Sequence, residues 1–212
     1  MAKTLTITCM QAGGGTFVVD GGRAGNQRLG VAVGGPADPR AMQAANQLLG
    51  RDKLATCLEF TQTGGHWLLS GNGQFVLTGA DMNWRLNGRL VEAYQVQYLE
   101  GDGLLTSTPA QRGLRGYLAV NGRWQLPSSM GSVEAGLPGI PRPTSGWSVE
   151  VTWENEATFQ MDLDVHQHHP PEPLLVATTT GPEWDLLSST EQSWLLNTPF
   201  VVHPDSNRQG IR

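Results

Sequence analysis

Apolar and polar residues alternate along much of the chain. In Thr4–Cys9, Leu5, Ile7 and Cys9 fall on one face and the threonines on the other, the period of a half-buried strand. Phe159, Met161, Leu163 and Val165 alternate in the same way with Thr158, Gln160, Asp162 and Asp164. Tyr94, Val96 and Tyr98 share a face of another predicted strand. Asn-Gly pairs stand at Asn72-Gly73, Asn87-Gly88 and Asn121-Gly122, and each predicts a hairpin turn, because both residues tolerate positive φ. The pattern predicts an antiparallel meander that closes as a barrel or sandwich.

The period changes in two places. After Asp38, Pro39 suits the first helical position, where its missing N–H would have no partner anyway. Ala41, Ala44, Ala45, Leu48 and Leu49 then form a stripe at helical spacing, and Gly50 suits the stop. A second helix is predicted over Ser189–Leu196, with Ser189 and Gln192 as a capping box and Pro199 beyond its end. The prolines of His168–Pro173 disfavour helix and read as an extended linker. The expected division is a β-barrel domain over 1–167 with one inserted helix. Residues 168–212 then hold the linker, the short helix and the start of a second, incomplete β domain.

Composition narrows the function. A chain of 212 residues buries a real core in one large or two small domains. Only 16% of residues are charged and the net charge is -5, so no basic face is available to meet nucleic-acid phosphates. The 27 glycines sit at turns rather than in one tract, which indicates many short strands rather than disorder. The N-terminal segment lacks the apolar core of a signal peptide, and no run approaches a membrane span, so a cytoplasmic protein with no membrane partner is expected. Cys9 and Cys57 read as buried free thiols in a reducing compartment, and closely spaced Cys pairs for a metal are absent.

Candidate chemistry is spread over several segments. Asp38 reads first as a helix N-cap, its carboxylate accepting from free backbone N–H groups. The same helix start beside a glycine turn also offers amides to an anion. In Asp20–Gly30, glycines would let backbone amides approach a ligand while Arg23 forks onto a carboxylate or phosphate. That loop has neither the Walker pattern nor the dinucleotide fingerprint. Gly79, Ala80 and Asp81 end an apolar strand, where small residues permit close approach of a ligand, or mark a bulge with a solvated aspartate. Asp162, Asp164, His166 and His168 fall at alternate positions. The polar face of a strand running into the linker is the favoured reading, and no metal is assigned. His66 and His203 are isolated, and a Gly-x-Ser-x-Gly elbow is absent.

Taken together and in order, "GRAGNQRLGVAVGGPADPRAMQAANQLLG", "LEFTQTGG", "LTGADMNWRLNGRLV", "RGYLAVNG", "GPEWDLL" and "DSNRQGIR" resemble the allophanate hydrolase subunit 2 family. That family embraces the C subunit of bacterial ATP-dependent 5-oxoprolinase, KipA, and part of the carboxyltransferase region of urea carboxylase. The resemblance implies a mainly β, cyclophilin-like barrel architecture with a few short helices. It implies a subunit 1/B (KipI-like) partner, with an A-type (LamB/YcsF-like) subunit, in a complex that opens the lactam of 5-oxoproline to glutamate. ATP with Mg is expected at the level of that complex, and no cofactor is expected to be held tightly by this chain.

The family positions retained here are Asp20, Gly22, Arg23 and Gly25, then Gly34, Gly35, Asp38 and Asn46, then Gly79, Ala80 and Asp81, and lastly Arg208. The resemblance implies catalytic roles for Arg23, Asp38 and Asp81, and substrate binding for the rest. Val133 stands where the family carries an arginine, a change that removes a charge and all its donors. Relatives continue beyond the motif in which Arg212 stands. Two other functions fit the resemblance. One is a non-catalytic, KipA-like module that antagonises a kinase inhibitor. The other is carboxyl transfer to a urea-like or allophanate-type substrate, with biotin arriving on another protein because this chain has no Met-Lys-Met.

Overall fold

A computed structural model describes residues 3–135, 140–153 and 177–201. The chain divides into two units, Met1–Pro170 and Pro171–Arg212, each described by itself. The predicted strand at Phe159–Val165, the linker at His168–Pro173, the boundary at 167/168, and Asp162, Asp164, His166, His168, His203 and Arg208 lie outside the described residues.

The first unit is a mainly β structure, as expected, in which one antiparallel sheet curls into a half-barrel. The main path of the sheet joins β2 (Thr16–Val19), β3 (Cys57–Thr61), β8 (Arg112–Val120), β4 (Gly65–Asp81), β1 (Lys3–Ala12), β10 (Ser148–Trp153) and β9 (Arg123–Trp124) in that order. Off this path, β7 (Gln97–Thr106) pairs with β4, and the small strands β5 (Arg85–Leu86) and β6 (Arg89–Leu90) extend from β7.

β4 organises the sheet. Its first part pairs with β1, from Gly65 opposite Ala12 to Gly71 opposite Leu5. From Phe75 to Asp81 it pairs with β8 instead. The change of partner falls at Gly71–Gly73, so Asn72-Gly73 is a bend inside a strand and not the predicted hairpin. Gly71 has φ +114°, and a Cβ there would collide with the Thr4 carbonyl. Asn87-Gly88 does form the predicted hairpin, with φ +50° and +82°, between β5 and β6. Asn121-Gly122 also departs from expectation. It carries the chain from β8 to β9, which pairs with β10 rather than with β8.

Leu5, Ile7 and Cys9 of β1 are fully buried, as their alternation predicts. They pack inside the curl with Phe60, Trp67, Phe75, Leu77 and Leu118. The opposite face of β4 and β8 carries Val76, Tyr117 and Ala119. Helix α1 (Pro39–Leu48) covers that face with Ala41, Met42, Ala44, Ala45, Leu48 and Leu49. Both faces of these strands are therefore buried, which is why Tyr117–Val120 reads as a continuous apolar run rather than an alternating one. Each large side chain placed under α1 contributes about 1.5–3 kcal/mol. The Thr78 hydroxyl donates to the Ala41 carbonyl at 2.8 Å and ties the helix to β4.

α1 begins and ends as the sequence predicts. Asp38 caps it, and Gly50 (φ +63°) closes it with the two reverse bonds of a Schellman turn, Gly50 N–H to Gln47 O and Arg51 N–H to Asn46 O. Tyr94 and Tyr98 do not share a strand face. Tyr94 is buried in the connection before β7, whereas Tyr98 on β7 is exposed. Both cysteines are buried and free.

In the second unit, α2 spans Ser189–Asn197. Its capping box is Ser188 with Glu191, one residue earlier than the Ser189–Gln192 pair expected. Glu191 reaches back to both the amide and the hydroxyl of Ser188, which a glutamine at position 192 is not placed to do. Among the described residues no helix is long and apolar enough to cross a membrane.

Candidate functional site

β2 delivers the chain into the loop that holds Asp20. Its Oδ1 accepts from the Gly22 amide at 2.8 Å and from the Ser132 hydroxyl at 2.6 Å, and its Oδ2 accepts from the Val133 amide at 2.8 Å. One carboxylate thus locks two distant loops together. Ser132 in turn accepts the Glu134 amide at 3.0 Å, which carries the Glu134 side chain inward. Arg23, only 4% exposed, meets it there. Arg23 Nη1 lies 3.9 Å from Glu134 Oε2, and Nη2 donates to the Glu134 carbonyl. Glu134 Oε2 also accepts the Gly35 amide at 2.6 Å. A Cβ on Gly34 would collide with this carboxylate, and φ there is +73°, so the turn requires glycine.

Three residues further on, a second buried carboxylate takes hold of the same turn. Glu59 on β3 is fully buried, and its Oε2 accepts from the Ala37 amide at 2.7 Å and from the Tyr117 hydroxyl at 2.8 Å. The Tyr117 oxygen accepts the Asp38 amide at 2.7 Å. Arg115, whose Nη1 also donates to Thr61 Oγ1, lies 3.7 Å from Glu59 Oε1. Burial first, and the Glu59 charge second, push the Tyr117 phenol far above its ordinary value. Asp38 Oδ1 accepts from the Arg40 and Ala41 amides, both at 3.1 Å. The amides of Gly35, Ala37, Asp38, Arg40 and Ala41 are therefore engaged within the protein, so the donors expected for an anion at this helix start are already occupied.

Gly79, Ala80 and Asp81 end β4 at a register shift against β8, the bulge that their small size suggested. Gly79 has φ +83°, and a Cβ there would collide with the Arg115 carbonyl. Asp81 is exposed, and its Oδ1 accepts the Asn83 amide at 3.1 Å. These residues form one wall of an open cleft of about 470 Å³, with Met82–Trp84, Leu90–Tyr94 and Gln111 completing its lining. Tyr94 belongs to the lining and is tied to β4. Its hydroxyl accepts the Gly79 amide at 3.0 Å. Burial raises its pKa, and the Asp38 carboxylate, close enough to be felt, adds to the rise.

Among the positions singled out by sequence, Asp20, Gly22, Arg23, Gly34, Gly35 and Asp38 thus form one clamped turn. Gly79, Ala80 and Asp81 form the cleft beside it. Gly25 lies at an exposed loop tip, with no atom within 4 Å of a Cβ built on it. Asn46 is fully buried. Its Nδ2 donates to the carbonyls of Lys53 and Ala55, and its Oδ1 accepts from Arg51, so it holds the loop after α1 rather than facing a cleft. Glu59, Tyr117, Ser132, Glu134 and Tyr94 were not anticipated. A carboxylate inside the apolar run of β3 was a legible signal for Glu59, while Glu134 carries none in its neighbours. Among the described residues no three His, Cys, Asp or Glu side chains are grouped to hold a metal ion.

The structural neighbours of this mainly β, curled half-barrel fold are carboxyltransferase-type domains. Residues 29–212 match the family described as carboxyltransferase domain, subdomain A and B, and the chain belongs to it. It is 29% identical to the C subunit of 5-oxoprolinase from Escherichia coli (strain K12), over 97% of this chain and 67% of that protein. The counterpart of the same name in Haemophilus influenzae is 24% identical, over 92% of this chain and 64% of its own length. The crystal structure of TTHA0988 superposes with a TM-score of 0.77 at 27% identity, covering 97% of this chain and 41% of that chain. Kluyveromyces lactis urea carboxylase, at 22% identity, shares the fold with a TM-score of 0.80, over 98% of this chain and 20% of that one. The chain spans about two thirds of the length of the two 5-oxoprolinase proteins.

Proposed function

We propose that this chain is a subunit of an ATP-dependent amidohydrolase complex of the 5-oxoprolinase type, which opens a lactam to an amino acid together with a subunit 1/B partner. Family membership and the two relatives named as the C subunit of 5-oxoprolinase support this reading. The observation that carries it is the open cleft walled by Gly79, Ala80 and Asp81, with the exposed Asp81 carboxylate on its lining. The lactam lies in the cleft. Asp81, exposed on its wall, is the proton acceptor, with Asp38 at the start of α1 as the alternative. Arg23 acts through Glu134 to fix the glycine turn that presents Asp38, instead of touching the substrate. The glycine loops lack the Walker pattern, so ATP with Mg is assigned to the partner proteins, which include one of the A type.

A second reading is a non-catalytic module that binds a subunit 1 partner. It is favoured by the occupied amides of the turn and by Val133 in place of a family arginine. One experiment separates the two. This chain is combined with the subunit 1 and A-type proteins of the same genome, and glutamate release from 5-oxoproline with ATP is followed. Release that requires this chain supports the enzymatic reading. A stable complex without release overturns it in favour of the binding module.

A further inference from the structure

The charge of the cleft is one-sided. Its apolar lining includes Ala80, Met82 and Val91, all almost fully buried, and its charged lining residues are Asp81 and Glu92, both exposed. Among the described residues no Lys, Arg or His lines the cleft, and neither carboxylate has a basic side chain within ion-pair distance. Arg112 stands opposite Asp81 on β8 without joining the lining. Arg85 is turned to the tip of the β5–β6 hairpin, where its Nη1 donates to the Gly88 carbonyl at 3.0 Å.

This charge does not suit the substrate by itself. 5-Oxoproline is a lactam whose ring carries a carboxylate. In the cleft that carboxylate meets two groups of its own sign and none of the opposite one. A site for it needs a guanidinium or ammonium group, the usual partner of a bound carboxylate. The cleft is open, and Leu90 on its lining is 56% exposed. An apolar side chain beside two carboxylates complements a protein surface that brings a basic head on an apolar stem, as arginine and lysine do.

We propose that the cleft is completed by a partner subunit, which covers Leu90 and presents a basic side chain beside Asp81 and Glu92. That side chain supplies the positive charge for the substrate's carboxylate, while the lactam ring rests on the apolar lining. The proposal rests on the reading of the cleft as the lactam site.

The probes are 5-oxoproline and 2-pyrrolidinone, a lactam without a carboxylate. Methyl NMR of the whole chain labelled at its six methionines reports binding through Met82, on the lining, both alone and with the subunit 1 protein added. Alone, the chain is expected to bind 5-oxoproline about fivefold more weakly than 2-pyrrolidinone. With the partner present, 5-oxoproline is expected to gain about tenfold or more and become the preferred lactam. Glu92→Lys, at an exposed position, places a cation on the lining in cis and is expected to give the lone chain the same preference. Equal binding of the two lactams by the unmodified lone chain, or no gain for 5-oxoproline in the complex, overturns the proposal and leaves the cleft as a lactam site. A gain produced by Mg2+ without the partner also overturns it, because the missing charge is then a metal ion. If neither lactam moves the Met82 signal, alone or in the complex, the lactam reading of the cleft falls as well.

Discussion

The hydroxyl of Tyr117 donates to Oε2 of Glu59 at 2.8 Å, between paired residues of adjacent strands, and neither side chain reaches solvent. The same oxygen of Glu59 holds the Ala37 amide, so one buried carboxylate joins the sheet to the turn before α1. Glu59→Gln keeps the volume but removes the charge that faces Arg115 and one acceptor for two donors. A loss of about 2–4 kcal/mol is expected, read as a lower urea midpoint at unchanged slope.

Arg23 and Glu134 form the second clamp. A directly ligand-binding Arg23 would give an Arg23→Ala variant that loses more than about tenfold in activity with the fold intact. The buried pair changes that expectation, because the variant removes the guanidinium that lies beside the buried Glu134 carboxylate. About 2–4 kcal/mol of stability is expected to go with it. Gly34→Ala, which removes no charge, is expected to destabilise by about 1–3 kcal/mol through its positive φ and the collision with the Glu134 carboxylate. Urea unfolding of both variants tests whether the clamp is one unit; if so, the double variant loses less than the sum of the two.

Asp38 has two roles that one substitution separates. Asparagine caps a helix about as well as aspartate, so Asp38→Asn is expected to change stability by less than about 0.5 kcal/mol, whereas Asp38→Ala loses about 1 kcal/mol. Asn keeps an oxygen for the cap but has neither the charge nor the second acceptor oxygen. If Asp38 accepts a proton in lactam opening, Asp38→Asn lowers glutamate release about a hundredfold. Unchanged release by the reconstituted complex would leave Asp38 a cap and nothing more.

Alkaline pH is expected to weaken the fold. Burial pushes the Cys57 thiol up to about 11, against the opposing pull of Arg51. An unfolded thiol ionises near about 8.5, so between these values the folded state holds a proton that the unfolded state has released. Stability contributed by the neutral thiol is complete below the unfolded value and is lost as pH rises through the window. Tyr117, raised as well, acts in the same direction at higher pH. A fall of roughly 2–3 kcal/mol from pH 8 to pH 11 is expected for the Cys57 share, and Cys57→Ala removes that part of the slope in a urea titration.

Much of the fold follows from local rules. The cap at Asp38, the stop at Gly50 and the buried face of β1 depend on neighbours within a turn or on strict alternation, and they are where they were expected. Asn72-Gly73 failed because the same dipeptide serves a hairpin or a bend, and only the partners of β4 decide between them. The sequence marked Asp20, Arg23 and Gly34, but their meaning depended on Glu134, which lies roughly a hundred residues away in the chain. Tyr94 fits a strand face by apolar periodicity alone, because its positive φ leaves no trace in that pattern.

The length and partnering of β4 have a consequence for how the chain folds as it is made. β4 takes β1 from the start of the chain on one side and needs β8, ending at Val120, to complete its second half, while β10, ending at Trp153, covers the free edge of β1. At a synthesis rate of about 5–20 residues per second, β1 and β4 wait several seconds on the ribosome before these strands emerge. During that interval the unpaired edges of β1 and of the C-terminal half of β4 are the points at which a nascent chain is open to wrong pairing.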